Sequence, residues 1–306
     1  MNDSNSSKKL STLKKLSLLQ NVVRNLSVGK IFNRTKFSTY NAAQLQIENK
    51  SDSTRYKMDH KNRGYAVIIE NSNFKTLPHL PGQDIDVENY KKTFKRLKFN
   101  VVVYHNLKGE EMIDLMNDYA ELDYSRHDCF LAVFLSHGDI ENNKEYIYGV
   151  DEEGITKENI INKFKRNSTL FEKPKIFFFD ACRGSNTEPI YSKSATNHMN
   201  NISDDIQYKF VHNDKNSDYI QYKSSQKEFF SQSDFFYGFS STRFYRSIAT
   251  SKGSIYSTVL CESIRNHADE HHLVDIVTLA HDRLKKEGKP LTAELQSTLK
   301  KFCYFR

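Results

Sequence analysis

The sequence predicts an α/β domain whose mostly parallel six-stranded sheet is flanked by helices. Between residues 63 and 183, short apolar segments alternate with longer segments in which apolar residues recur at helical spacing. The apolar segments are hydrophobic at successive positions, which is typical of strands buried on both faces. Alternation of such strands with helices favours parallel strands joined by helical connections.

The elements follow in chain order. The predicted strands are residues 65–69, 100–104, 129–135, 175–179, 235–240 and 299–305. The predicted helices are residues 86–97, 110–122, 160–164, 257–267 and 273–286. Val87, Tyr90, Phe94 and Leu97 illustrate the helical pattern, because their spacing places them on one face.

Two segments lack this alternation. Residues 1–52 form a basic leader rich in Ser, Asn and Lys, and residues 185–232 are polar and have no regular period. Residues 1–50 hold nine Lys and Arg against Asp3 and Glu48, so the remaining 36 basic and 36 acidic residues balance. The folded part therefore does not favour nucleic-acid binding. The leader is interpreted as a disordered segment, with a membrane-surface helix, a partner-binding helix or a mitochondrial-type presequence as alternatives.

Composition excludes several other classes of protein. No apolar run is long enough to cross a bilayer, and the first residues do not resemble a secretory signal. The four cysteines, Cys129, Cys182, Cys261 and Cys303, are far apart in the sequence, which argues against a disulfide scaffold or a zinc site. We expect reduced thiols, a cytoplasmic location, and neither a metal nor a cofactor.

A histidine and a cysteine follow two of the predicted strands. His137 comes after residues 129–135, and Cys182 comes after residues 175–179. The carboxyl ends of parallel strands meet at one edge of a sheet, so the two side chains can converge there. A cysteine attacks as its thiolate, and a neighbouring imidazole can accept its proton. Gly138 and Gly184 allow close approach of a substrate to the main chain.

Several motifs around these residues resemble the caspase family. They are 181–184 (ACRG), 136–138 (SHG), 63–69 (RGYAVII), 82–87 (GQDIDV), 173–178 (KPKIFF), 234–240 (DFFYGFS) and 253–254 (GS). The resemblance covers about residues 56–306, and the short leader resembles that of an effector-type caspase. It implies that Cys182 is the nucleophile, that His137 is the general base and acid, and that the N–H groups of Gly138 and Cys182 form the oxyanion hole.

The resemblance also implies an organisation of the chain. Residues 1–52 would be a short prodomain, 53–184 the large-subunit region, 185–232 a flexible linker cut during maturation, and 233–306 the small-subunit region. The possible processing sites in the linker are Asp204, Asp205, Asp214 and Asp218. The active form would be a homodimer, or a heterodimer with another caspase, in which small-subunit sheets meet edge to edge.

The sequence departs from the family at the pocket that recognises aspartate before the scissile bond. Two arginines and a glutamine surround that side chain in caspases, because a buried carboxylate requires paired donors. Here Asp180 replaces the glutamine, Leu80 the first arginine and Ala249 the second, and Ile248 replaces a tryptophan. Arg246 is nearby, three residues before Ala249. The sequence thus predicts that strong cleavage after aspartate is lost.

Two functions fit an intact dyad with an altered pocket. The sequence favours a regulatory, decoy-type homologue that pairs with an active caspase and modulates it. The alternative is an active cysteine endopeptidase that acts on protein substrates and prefers a basic residue before the cut, because Asp180 would make the pocket acidic. Residual cleavage after aspartate is a third, weaker possibility. The loop between residues 286 and 290 is very short, which predicts a shallow substrate groove on that side.

Overall fold

A computed structural model describes residues 54–187 and 232–305. The strands of this part are β1 (Tyr65–Glu70), β2 (Asn100–His105), β3 (Phe130–Leu135), β4 (Gly138–Glu141), β5 (Lys144–Tyr148), β6 (Gly154–Thr156), β7 (Lys175–Asp180), β8 (Phe235–Phe239), β9 (Ala249–Thr250), β10 (Gly253–Ser254) and β11 (Glu294–Ser297). The helices are α1 (Gln83–Arg96), α2 (Gly109–Glu121), α3 (Lys157–Ile161), α4 (Ile255–His267) and α5 (Leu273–Lys286).

The central sheet confirms the predicted fold class. Its six strands lie in the order β11-β8-β7-β3-β1-β2. All neighbouring pairs are parallel except β11 with β8, which is antiparallel. Strands from the predicted large-subunit and small-subunit regions therefore belong to one sheet.

The two faces of the sheet carry separate hydrophobic clusters because successive strand residues point to opposite sides. Ala66 and Ile68 of β1 belong to the cluster that includes α1, α4 and α5. Val67 and Ile69 belong to the cluster that includes α2 and α3. Helices on both faces bury the inner strands β3 and β7 along their whole length, which explains their runs of apolar residues.

Two features of the fold differ from the sequence-based prediction. A strand predicted at residues 299–305 is wrong: the sixth strand is β11, and the later residues show one isolated bridge, between Phe302 and Arg55. A small antiparallel sheet of β4, β5 and β6 follows His137 and was not predicted. Its strands are short and half-exposed, so they lack the apolar pattern of the central strands.

Several predictions concern residues outside the described part. The basic leader 1–52, most of the linker 185–232, and Asp204, Asp205, Asp214 and Asp218 all lie there. Among the described helices, none has the length and apolar character that crossing a membrane requires.

Candidate active site

The register of two parallel strands brings Cys182 and His137 to the same edge of the sheet. Leu135, which ends β3, is paired with Asp180, which ends β7. The Ser136 N–H donates to the Asp180 carbonyl at 3.3 Å, so the alignment continues beyond the strands. His137 and Cys182 each lie two residues past the last pair, and both line one cavity.

This cavity has a volume of about 710 Å³ and contains most of the predicted site residues. Those that line it are Leu80, His137, Gly138, Asp180, Cys182, Arg246 and Ala249. Ile248 is not among the lining residues, and its assignment to the specificity pocket stays a prediction. Its half-buried side chain packs against the hydrophobic cluster that includes residues of α1 and α4.

The imidazole of His137 is held by a main-chain carbonyl. His137 Nε2 lies 2.7 Å from the Pro78 carbonyl oxygen, and the ring of Phe74 contacts the imidazole edge-on at 4.8 Å between centroids. A carbonyl oxygen only accepts hydrogen bonds, so Nε2 carries the proton. In the neutral ring, Nδ1 is therefore the nitrogen that can take a proton from a thiol. Pro78 could not be predicted as a site residue, because any residue supplies a carbonyl.

Cys182 is a partly buried thiol. Its Sγ lies 3.8 Å from the carbonyl oxygen of Ser247. Burial raises the pKa of the Cys182 thiol, and the charge of Asp180 acts in the same direction, whereas Arg246 opposes it. The thiol therefore requires a base to become a nucleophile, and His137, which follows the neighbouring strand, lines the same cavity.

Gly138 permits close contact between the two strand ends. A Cβ atom at this position would lie 2.7 Å from the carbonyl oxygens of both Cys182 and Tyr146. Glycine is thus required sterically between the segment that carries the histidine and the segment that carries the cysteine. An oxyanion hole formed by the N–H groups of Gly138 and Cys182 remains a prediction.

The segment after Cys182 is hydrogen-bonded to residues 244–246. Arg183 N–H donates to the Tyr245 carbonyl at 2.9 Å, Phe244 N–H donates to the Arg183 carbonyl at 2.6 Å, and Arg246 N–H donates to the Asn186 carbonyl at 2.8 Å. Gly184 has φ of 138°, and a Cβ there would lie 2.5 Å from Phe244. This pairing places Arg246 at the cavity, with an exposed side chain.

The guanidinium of Arg183 anchors this segment below the cavity. Arg183 is 5% exposed, and its two terminal nitrogens lie 2.6 Å from Glu294 Oε2 and 2.8 Å from Glu145 Oε1. It also donates to the Ser241 carbonyl at 3.0 Å and lies 4.1 Å from the centroid of the Phe239 ring. The residue next to the nucleophile is therefore tied to β5, β8 and β11.

Two buried carboxyl groups contribute to the cavity. Asp180 is 7% exposed, and its two oxygens accept hydrogen bonds from Ser247 Oγ at 2.9 Å and Ser257 Oγ at 2.7 Å. Asp86 is 1% exposed and accepts from the Ser254 N–H at 2.8 Å. Burial and the charge of Asp180 raise the pKa of Asp86 to about 8.

Asp86 was not predicted as a site residue. In the sequence it stands out only through its place in the GQDIDV motif. An acidic residue at that place is explained equally well by its position in the first turn of a helix. The structure places it with Asp180 as a second buried carboxyl group at the cavity. Leu80 is partly buried and Ala249 is exposed at the same cavity. Among the described lining residues, Arg246 supplies the single guanidinium.

Comparison with known proteins identifies the family. A sequence model of the caspase domain matches residues 63–304. The chain belongs to the caspase family. Caspase-6 of Mus musculus is 30% identical over 237 residues, which cover 76% of this chain and 80% of the relative. Caspase-6 of Gallus gallus is 27% identical over 259 residues, which cover 81% and 79% of the two chains.

Two further relatives extend the comparison. Caspase-1 of Spodoptera frugiperda is 30% identical over 229 residues, which cover 73% of this chain and 68% of the relative. Caspase-6 of Bos taurus is 37% identical over a shorter stretch of 154 residues, and that match spans 52% of the relative. The matches thus include caspases from vertebrates and from an insect.

Proposed function

We propose that this caspase-family chain is a cysteine endopeptidase of cell-death proteolysis that selects a basic residue before the scissile bond. The observation that carries the proposal is the buried carboxyl group of Asp180 in the cavity that also holds Cys182. Asp86 lies at the same cavity, but its pKa of about 8 keeps it mostly protonated at neutral pH. The hydrogen bond between His137 Nε2 and the Pro78 carbonyl supports retained peptidase activity. A site without catalytic activity would not require this orientation of the imidazole.

The proposed reaction proceeds through an acyl-enzyme. His137 Nδ1 takes the proton of Cys182 as the sulfur attacks the carbonyl carbon of the substrate. The N–H groups of Gly138 and Cys182 stabilise the negative oxygen, and the imidazolium returns its proton to the departing amine. Water, deprotonated by His137, then hydrolyses the thioester. The Pro78 carbonyl keeps Nε2 protonated throughout, so that Nδ1 remains the acceptor.

Selectivity follows from the charge of the pocket. A substrate aspartate would enter beside Asp180 as a like charge. Compared with a pocket that has two arginines, it would also lack two charge-assisted hydrogen bonds worth about 1.5–3 kcal/mol each. A lysine or arginine side chain would instead offset the negative charge of Asp180. Arg246 is exposed, so its interaction with a substrate is screened by solvent more than that of the buried Asp180.

A peptide library that varies the residue before the scissile bond tests the proposal. The full chain should cleave peptides with lysine or arginine at that position, and Cys182→Ala should cleave none of them. Asp180→Gln should reduce the preference for basic residues at least tenfold. Preferred cleavage after aspartate, or equal signal from wild type and Cys182→Ala, would exclude this function.

A second candidate function is the regulatory, decoy-type role in which the chain pairs with an active caspase. It is supported by β11, which lies at the edge of the sheet and pairs with β8 on one side only within the described residues. Such an edge can accept a strand from another chain. The sequence favoured this role over peptidase activity. We now rank it second, because the orientation of the His137 imidazole supports catalysis.

Co-expression of the full chain with active caspases of the same cell tests the regulatory role. The Cys182→Ala variant makes the test specific, because pairing does not require the thiol. Stable heterodimers and a changed activity of the partner with Cys182→Ala would support regulation. Absence of pairing at cellular concentrations would remove this candidate, and the cytoplasmic location expected for both functions can be checked in the same cells.

A further inference from the structure

His137 is contacted by a segment that has no regular secondary structure. Residues 74–78, here called the arch, lie between β1 and α1. The arch supplies both groups that contact the imidazole, namely the ring of Phe74 at 4.8 Å and the Pro78 carbonyl at 2.7 Å. Since no helix or strand fixes the arch, other contacts must define the position of that carbonyl.

The carboxylate of Glu152 supplies such contacts. Its Oε1 accepts hydrogen bonds from the main-chain N–H groups of Thr76 and, at 3.0 Å, Leu77, and its Oε2 accepts from Thr76 Oγ1 at 2.6 Å. Oε1 thus binds both residues that directly precede Pro78, and Oε2 binds the first of them. These hydrogen bonds lower the pKa of Glu152 to about 2, so the carboxylate remains ionised across the physiological range.

The turn that carries Glu152 is itself fixed. Gly149 N–H donates to the Glu153 carbonyl at 3.0 Å, and Val150 N–H donates to the Leu107 carbonyl at 2.9 Å. The residue just before this turn is Tyr148, whose N–H donates to the His137 carbonyl at 3.0 Å. The end of β5 is therefore hydrogen-bonded to the main chain of His137, and the turn that follows β5 is hydrogen-bonded to the arch.

The backbone of Glu152 adds a second, independent observation. Its φ is 70°, in the left-handed region that glycine and asparagine adopt most readily. A glycine would fit this backbone without strain, but it would leave the N–H groups of Thr76 and Leu77 without the carboxylate. Strained positions of this kind cluster at functional sites, where the surrounding structure holds them in place.

We infer that Glu152 is a positioning residue for the Cys182–His137 dyad, because its carboxylate sets the Pro78 carbonyl that orients the imidazole. The inference rests on the proposed peptidase function, yet its consequence for the thiol can be measured without a substrate. Loss of the carboxylate should let the arch move, and a displacement of about 1 Å in such a site can lower the rate up to about 100-fold.

The test compares Glu152→Gly, Glu152→Gln and the matched control Glu153→Gln in the full chain. Alkylation of Cys182 by iodoacetamide is followed by mass spectrometry from pH 5 to pH 9. Glu152→Gly should react about tenfold more slowly at pH 7 and lose the part of the pH profile that depends on His137. Glu152→Gln, which keeps one acceptor oxygen, should be intermediate, and Glu153→Gln should match wild type.

Hydrogen exchange and kinetics complete the test. Amide exchange of the arch should accelerate in Glu152→Gly, and kcat on a cleaved peptide should fall while KM stays within about twofold. If Glu152→Gly does not fold, Glu152→Gln and Thr76→Val decide the question by the same alkylation profile. A wild-type rate and pH profile in the folded variants would overturn the inference. Altered alkylation in a chain that cleaves no peptide would uphold it and refute the proposed function instead.

Discussion

Replacement of Asp86 by asparagine should make the chain more stable at high pH. The pKa of Asp86 is raised from 3.8 to about 8, first by burial and then by the charge of Asp180. Between these values the folded state holds a proton that the unfolded state has released, so the stability of wild type falls as the pH rises. The shift of about 4 pH units corresponds to at most about 5 kcal/mol. Asparagine stays neutral and keeps an acceptor for the Ser254 N–H.

The free energy of unfolding of both proteins, measured in urea at pH 5, 6, 7 and 8 and constant ionic strength, checks this reasoning. Asp86→Asn should already be the more stable protein at pH 5, by about 1–2 kcal/mol, and its advantage should grow by about 1.4 kcal/mol per pH unit up to pH 8. Asp180→Asn should reduce this gain, because it removes the neighbouring charge. A difference between wild type and Asp86→Asn that does not change with pH would refute the assignment of Asp86 as a buried, coupled acid.

Two further predictions concern the main chain and the ion pairs around the dyad. Gly138→Ala would place a Cβ 2.7 Å from the Cys182 carbonyl oxygen, so we expect loss of thiol reactivity and destabilisation of about 1–3 kcal/mol, measured by alkylation and thermal unfolding. Arg183→Met should destabilise the fold by about 3 kcal/mol, because Glu145 and Glu294 lose their shared cation. Unchanged unfolding midpoints in either variant would contradict these assignments.

Much of the central sheet could be predicted because its inner strands are buried on both faces. β3 (FLAVFL) is apolar throughout and β7 (KIFFFD) has four apolar residues in succession, a pattern typical of inner parallel strands. The antiparallel sheet of β4, β5 and β6 could not be predicted, since its residues are half-exposed and follow no regular alternation. The final strand was misplaced because residues 299–305 are more apolar than β11 (ELQS).

The site was predictable only where side-chain identity carries the chemistry. Cys182 and His137 follow apolar strands, and the parallel register brings them to one cavity. Pro78 acts through its carbonyl, and Glu152 acts on main-chain N–H groups that lie far away in the sequence, so neither has a residue-type signature. Asp86 is visible as an acid, but its proximity to Asp180 depends on the packing of α1 against β10.

The charge of the pocket is tested most directly by the ratio of kcat/KM for a lysine peptide to kcat/KM for an aspartate peptide. kcat/KM is measured at pH 7.5 for two peptides that differ only in having lysine or aspartate before the scissile bond, in wild type and in Asp180→Gln. Wild type should prefer lysine by about 100-fold or more, because lysine gains a charge-assisted contact with Asp180 whereas aspartate meets it as a like charge. Asp180→Gln should lower that ratio at least tenfold. A wild-type preference for aspartate, or a ratio that the substitution leaves unchanged, would contradict an acidic specificity pocket.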